Sequence, residues 1–166
     1  MTIHQMRFGG LFSLLWVFLC HTRALSSARV HRQPATFASR FPLVLSGAAI
    51  HVQIAVSDGE HQEGLMGRQS LGENTGMLFV YSRPRRGVFW MKDTPLDLDA
   101  GFFDTAGVLT DIHHLKANDE TWVYSDRSDA KMGLEMPVGW FKQHGITPGA
   151  VLEPESLRSA LQARGG

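Results

Sequence analysis

The sequence predicts a mainly β (α+β) domain: a small barrel-like or strongly coiled antiparallel sheet with a few short peripheral helices. Three observations predict it. In "AAIHVQIAV" Ile50, Val52, Ile54 and Val56 alternate with His51, Gln53 and Ala55, the period of a half-buried strand. Short β-like runs separated by turn residues then follow one another from Met77 to Met136, the spacing of a barrel or coiled sheet. Finally, "FFDTAGVL" reads as a hairpin turning at Thr105–Gly107.

Taken in order, residues 29–48 lack sustained periodicity and contain two prolines, so they read as a mobile start and an edge strand near Leu43–Leu45. After the alternating strand, Ser57 and Glu60 have the spacing of a capping box. They predict a helix over Asp58–Met66, stopped by Gly67. The later strands are expected at Met77–Tyr81, Val88–Met91, Ala100–Asp104, Val108–Leu115, Trp122–Tyr124 and Leu134–Met136. "MPVGWFKQHGI" predicts one or two helical turns closed by Gly145, and "TPGAVL" a last strand. In the tail, 154–166, Pro154 suits the first helical position, and Leu157 and Leu161 fall at i, i+4, as in a surface helix.

The 166 residues are one domain's length, with residues 49–153 as its body. Residues 1–28 read as a secretory signal peptide: Arg7, an apolar run from Leu11 to Cys20, then small residues Ser26 and Ala28 before the exit. The run is too short for a membrane span, and bulky Leu19 disfavours acylation at Cys20. The expectation is an exported, periplasmic or secreted protein with no membrane span after cleavage. Cleavage after Ala28 leaves 138 residues and removes the only cysteine, so the mature fold rests on its core without a disulfide. Loss of Arg7 and Arg23 leaves 14 basic residues against 16 acidic ones. That balance points to neither nucleic acid nor an anionic membrane surface.

There is no phosphate-cradling glycine loop, no "GxSxG" elbow and no "HExxH" zinc signature. Among the acids, Asp93, Asp97, Asp99 and Glu135 offer pairs for acid–base chemistry on a glycan. Asp93 and Thr94 also suit a turn, where they accept from backbone donors. In "DIHHL", Asp111 and His113 share a strand face while His114 points away, a partial metal site without a third ligand. Met66, Met77, Met91, Met132 and Met136 are too scattered for a Cu(I) cluster and fit core packing. No metal and no cofactor is expected. On one strand face, Lys92 would lie near the Trp90 indole, able to hold an acidic group of a ligand or simply to cover core surface.

"GLMGRQSL", "GMLFVY", "FWMKDTPLDLD" and "LEMPVGW" occur in this order, from Gly64 to Trp140. Together they resemble the domain-of-unknown-function 192 family over about Val52–Val151. The resemblance implies a compact, mainly β domain, often exported in bacteria, and supplies no reaction. Two positions depart from the family pattern: Asp93 replaces its usual Asn, and Asp97 stands where a proline is expected, leaving Asp99 as the matching acid.

The sequence is therefore read as an uncharacterised exported ligand-binding or cell-envelope-associated module rather than an enzyme, with a small-molecule or envelope ligand as partner. Its ligand site is expected to comprise Arg68, Trp90, Lys92, Asp93, Thr94, Asp99 and Glu135. Arg68 and Lys92 would contact an anion, Trp90 would stack, and Asp99 and Glu135 would orient them. One alternative is an envelope hydrolase acting on glycan through Asp99 and Glu135. Another is a structural or interaction scaffold in which Arg68 and Glu135 form an internal ion pair.

Overall fold

A computed structural model describes residues 35–165. The expected signal segment, 1–28, lies outside the described residues. Eight strands and three helices follow in order. The strands are β1 (Phe41–Leu45), β2 (Ala48–Ala55), β3 (Thr75–Arg85), β4 (Val88–Phe89), β5 (Leu98–Phe103), β6 (Leu109–Leu115), β7 (Val123–Tyr124) and β8 (Ala130–Pro137). The helices are α1 (Asp58–Glu63), α2 (Trp140–Gln143) and α3 (Pro154–Arg164). Among the described residues, no helix is long and apolar enough to cross a membrane.

The mainly β class holds, with two corrections to the sheet. Its order is β1-β2-β3-β8-β5-β6, and β2 and β3 run parallel while the other neighbours are antiparallel. Antiparallel hairpins need only a tight turn, whereas the β2–β3 pair needs the α1 crossover between its strands. The sheet is also open. Val151 and Leu152, expected as a last strand, make only single bridges, Leu152 to Leu45 and Val151 to Val108. One bridge at each side does not close a barrel.

Both faces of the sheet are covered. On one, Ile50, Val52, Ile54, Leu134 and Met136 pack with Trp140, Phe141, Leu152 and Ala160 from the C-terminal part of the chain. On the other, Met77, Phe79, Tyr81, Ala100 and Phe102 pack under Leu65, Phe89 and Met91. This second layer is an irregular roof, formed by the loop after α1 and by the two-stranded ribbon β4–β7.

Helix α1 begins as expected. Ser57 and Glu60 complete the capping box, and the Arg164 guanidinium pairs with the Glu60 carboxylate. Burial acts to raise the Glu60 pKa, but the Val56 and Ser57 amides and Arg164 outweigh it and hold it below its ordinary value. The helix ends at Glu63 rather than Met66, because Gly64 turns the chain at φ 45°. That early exit frees Leu65 and Met66 to line a cavity.

Candidate functional site

The cavity lies between the second sheet face and its roof and measures about 260 Å³, near the small end of ligand sites. Its floor is set by β8, which sits between β3 and β5. Glu135 is opposite Met77 on one side and Ala100 on the other. It is only 4% exposed, and its carboxyl makes no hydrogen bond or ion pair with any described residue. Burial pushes its pKa up to about 8, because little but apolar surface is available to solvate the charge.

Tyr81 lies on the same face of β3. Its hydroxyl is buried and makes no well-formed hydrogen bond with the described residues. A Cβ at Gly87 or Gly133 would come within 3.3 or 3.2 Å of that oxygen, so two glycines make room for it. Burial pushes the phenol pKa up to about 12; the charge of Arg85 opposes it most, the Glu135 carboxyl adds to it, and the Val88 backbone amide opposes it weakly. The Arg85 guanidinium lies 4.4 Å from the centre of the Tyr81 ring.

The roof is aromatic. Phe79 and Phe89 meet edge to face at 4.9 Å, and Trp90 and Trp122 tilt together at 5.9 Å. Trp122 continues outward onto Tyr124, and the two are 56% and 44% exposed. Lys92 Nζ lies 5.6 Å from the Trp90 ring centre, within cation–π range. His61 holds its place through Nε2 and the Ala55 carbonyl, 3.2 Å apart, with its ring 5.8 Å from those of Phe79 and Tyr81.

Of the seven residues expected at the site, the structure brings Trp90, Lys92, Thr94 and Glu135 around this cavity. Arg68, Asp93 and Asp99 lie elsewhere. Arg68 donates to Gln53 Oε1 at 2.6 Å, and Gln53 in turn donates to the Phe37 carbonyl, so the arginine ties the N-terminal segment to β2. The Arg68–Glu135 ion pair of the scaffold alternative is therefore not formed among the described residues. Asp93 adopts φ 51° while its carbonyl accepts from the Gly67 amide at 2.8 Å. Asp and Asn are the non-glycine residues that best tolerate that left-handed backbone, which accounts for the interchange seen against the family motif. Thr94 donates to the Lys92 carbonyl at 3.1 Å and fixes the same turn.

Asp99 corrects the hydrolase reading. It is opposite Met136, one residue from Glu135 on β8, and neighbouring strand residues point to opposite faces. Asp99 and Glu135 are thus on opposite sides of the sheet and cannot flank one glycosidic bond. Asp99 instead accepts from the Gly139 amide at 2.7 Å and lies 3.3 Å from His114 Nδ1. Asp99→Ala should lower unfolding stability by roughly 1.5–3 kcal/mol, the range for a hydrogen bond to a charged acceptor. Urea denaturation checks this, and ligand binding at the cavity should be unchanged.

Asp111 and His113 do share a face, and Asp126 supplies the third group that the sequence pattern lacked. The Asp111 carboxylate is already engaged by the Thr110 hydroxyl, by His113 Nε2 at 2.7 Å and by the Asp126 amide at 3.1 Å. This is a satisfied buried acid anchoring the 125–126 turn.

The cavity residues missed from sequence include Phe79, Tyr81, Arg85, Phe89 and Trp122. Met77, Phe79 and Tyr81 alternate along β3, so their shared face was readable. The arrival of Trp122 over Trp90 depends on the β4–β7 pairing, for which short strands leave no local signal.

The pattern of residues 43–154 matches the model of domain of unknown function 192, described as an uncharacterized ACR. The chain belongs to this family. Two solved structures are similar to it. One, described as a candidate transcription regulator from Sinorhizobium meliloti 1021, is 29% identical with a TM-score of 0.66, covering 75% of this chain and 99% of that one. The other, a protein of unknown function from Novosphingobium aromaticivorans DSM 12444, is 26% identical with a TM-score of 0.66, covering 74% and 94%. No curated protein matches the chain.

Proposed function

We propose that this member of the family is an exported small-molecule-binding module acting at the cavity between the sheet and the β4–β7 ribbon. One observation carries the reading. A buried acid with no protein partner faces an aromatic-lined space in the middle of the sheet. Burying an ionisable group without a partner costs stability, and such groups concentrate where a ligand or a reaction uses them. The aromatic walls supply apolar contact area, while Glu135 and the mouth cations supply polar contacts that would orient a guest. Export is supported by the composition of residues 1–28.

Untargeted capture tests this. The purified protein is incubated with a small-molecule extract, washed, and its retained compounds identified by mass spectrometry. The wild type is expected to retain a compound that the Trp90→Ala/Lys92→Ala double variant loses, while the variant keeps a cooperative urea transition. Equal retention by both would place binding elsewhere, and a variant that fails to fold would make the cluster structural.

A further inference from the structure

The charges around the cavity are unevenly arranged. Arg85 and Lys92 are both exposed and both line it. Neither is within ion-pair distance of a carboxylate among the described residues. Each lies over the face of a wall aromatic, Arg85 on Tyr81 and Lys92 on Trp90. Glu63 is the one exposed carboxylate on the same rim, with half-buried His61 beside it, so the mouth keeps an excess of positive charge.

We propose that the cavity takes a small amphipathic anion. Its flat apolar body would lie among Phe79, Phe89, Trp90 and Trp122, and its acidic group at the mouth beside Arg85 and Lys92. This rests on the ligand-binding reading above and adds the ligand's chemical class.

Three features favour an anion over an organic cation. A cationic guest would enter past two uncompensated positive side chains, whereas an anion is drawn in and paired by them. The Trp90 and Tyr81 faces that could bind a cation already carry Lys92 and Arg85, and quadrupole attraction is directed at the ring face. Glu135 remains largely protonated at neutral pH, so it presents a neutral donor and acceptor to the buried end of a guest. A neutral floor does not repel an anion.

Three probes with one ring system separate charge from shape: indole-3-acetate, indole-3-acetamide and tryptamine, an anion, a neutral amide and a cation. Each is titrated into the protein at pH 7, with binding read from amide and indole NMR shifts of the cavity residues. Indole-3-acetate should bind at least about tenfold more tightly than either of the others. The exposed-residue variants Lys92→Gln and Arg85→Gln should each lower its affinity toward that of the amide, whose own affinity stays within about twofold. Equal binding of all three, or a preference for tryptamine, would overturn the anion assignment while leaving the cavity as a ligand site. Shifts at no cavity residue with any probe would overturn both.

Discussion

Replacing Glu135 with glutamine is expected to stabilise the protein increasingly as pH rises from 5 to 9. The folded-state pKa of about 8 stands above the ordinary 4.5. Below 4.5 the carboxyl is protonated in both folded and unfolded chains, and its titration costs nothing. Between 4.5 and 8 the unfolded chain releases the proton and the folded chain holds it. Stability therefore falls with rising pH, by about 1.4 kcal/mol per unit across that window. Above 8 both forms are ionised and the loss is complete. Glutamine cannot ionise, so its urea midpoint should lack this decline. The stability gap between the two proteins should widen by on the order of 4 kcal/mol between pH 5 and 9. Tyr81 titrates near 12, outside the window. His61, Glu63, Arg85 and Lys92 line the same cavity in both proteins, so the comparison isolates position 135. A gap that stays constant would mean that Glu135 ionises in the fold as it does in water.

That cost has a structural counterpart. Sheet positions flanked by Met77 and Ala100 would be filled more stably by leucine or methionine, and the poorly satisfied Tyr81 hydroxyl beside them repeats the pattern. A buried acid without a protein partner, beside a buried hydroxyl without a well-formed hydrogen bond, departs from the rule that such groups are paired. Departures of this kind are expected at functional sites rather than in supporting structure. The supporting parts of the same chain do follow the rule: Asp99 and Asp111 each accept from several partners, and Arg68 is held by Gln53.

Much of this was legible locally. The β2 strand, the capping box at Ser57 and the Pro154 helix start depend on neighbours within a turn or two, and each forms where the local pattern places it. The half-buried alternation of β2 does not hold, because both faces of the sheet are covered: Gln53 and Ala55 are buried and Val56 is exposed. The convergence of Trp90, Lys92, Thr94 and Glu135 followed from motif content. What local pattern could not convey was register. Whether Asp99 shares a face with Glu135 is decided by pairing strands more than thirty positions apart, and a shift of one residue inverts the answer. The same limit hid the parallel β2–β3 pair. It also turned a nearly returning sheet into an expected barrel, since Val151 and Leu152 approach both sides and satisfy only a few backbone groups at each.

Register also explains why two glycines on these central strands should respond differently to alanine. At Gly76, an added Cβ would lie 2.2 Å from the Glu135 carbonyl oxygen and 2.5 Å from Met136 Sδ. The sulfur can rotate away, but the carbonyl belongs to the neighbouring strand and cannot yield without separating β3 from β8. Gly76→Ala should therefore cost on the order of 3 kcal/mol or more, as overpacking against rigid backbone does, and should displace Glu135 itself. At Gly133 the contacts are the Phe89 ring at 2.6 Å and the Tyr81 hydroxyl at 3.2 Å, both side chains bordering the cavity. Phe89 can swing toward that open space, so Gly133→Ala should cost about 1–2 kcal/mol and reduce the cavity instead of parting the strands. Urea midpoints rank the two variants, and indole-3-acetate titration separates their effects. Gly133→Ala should bind the probe weakly while folding cooperatively, so that binding is lost at smaller cost to stability than in Gly76→Ala. If Gly76→Ala proves the milder change in stability, the close approach of β3 to β8 is not what holds the acid in the floor.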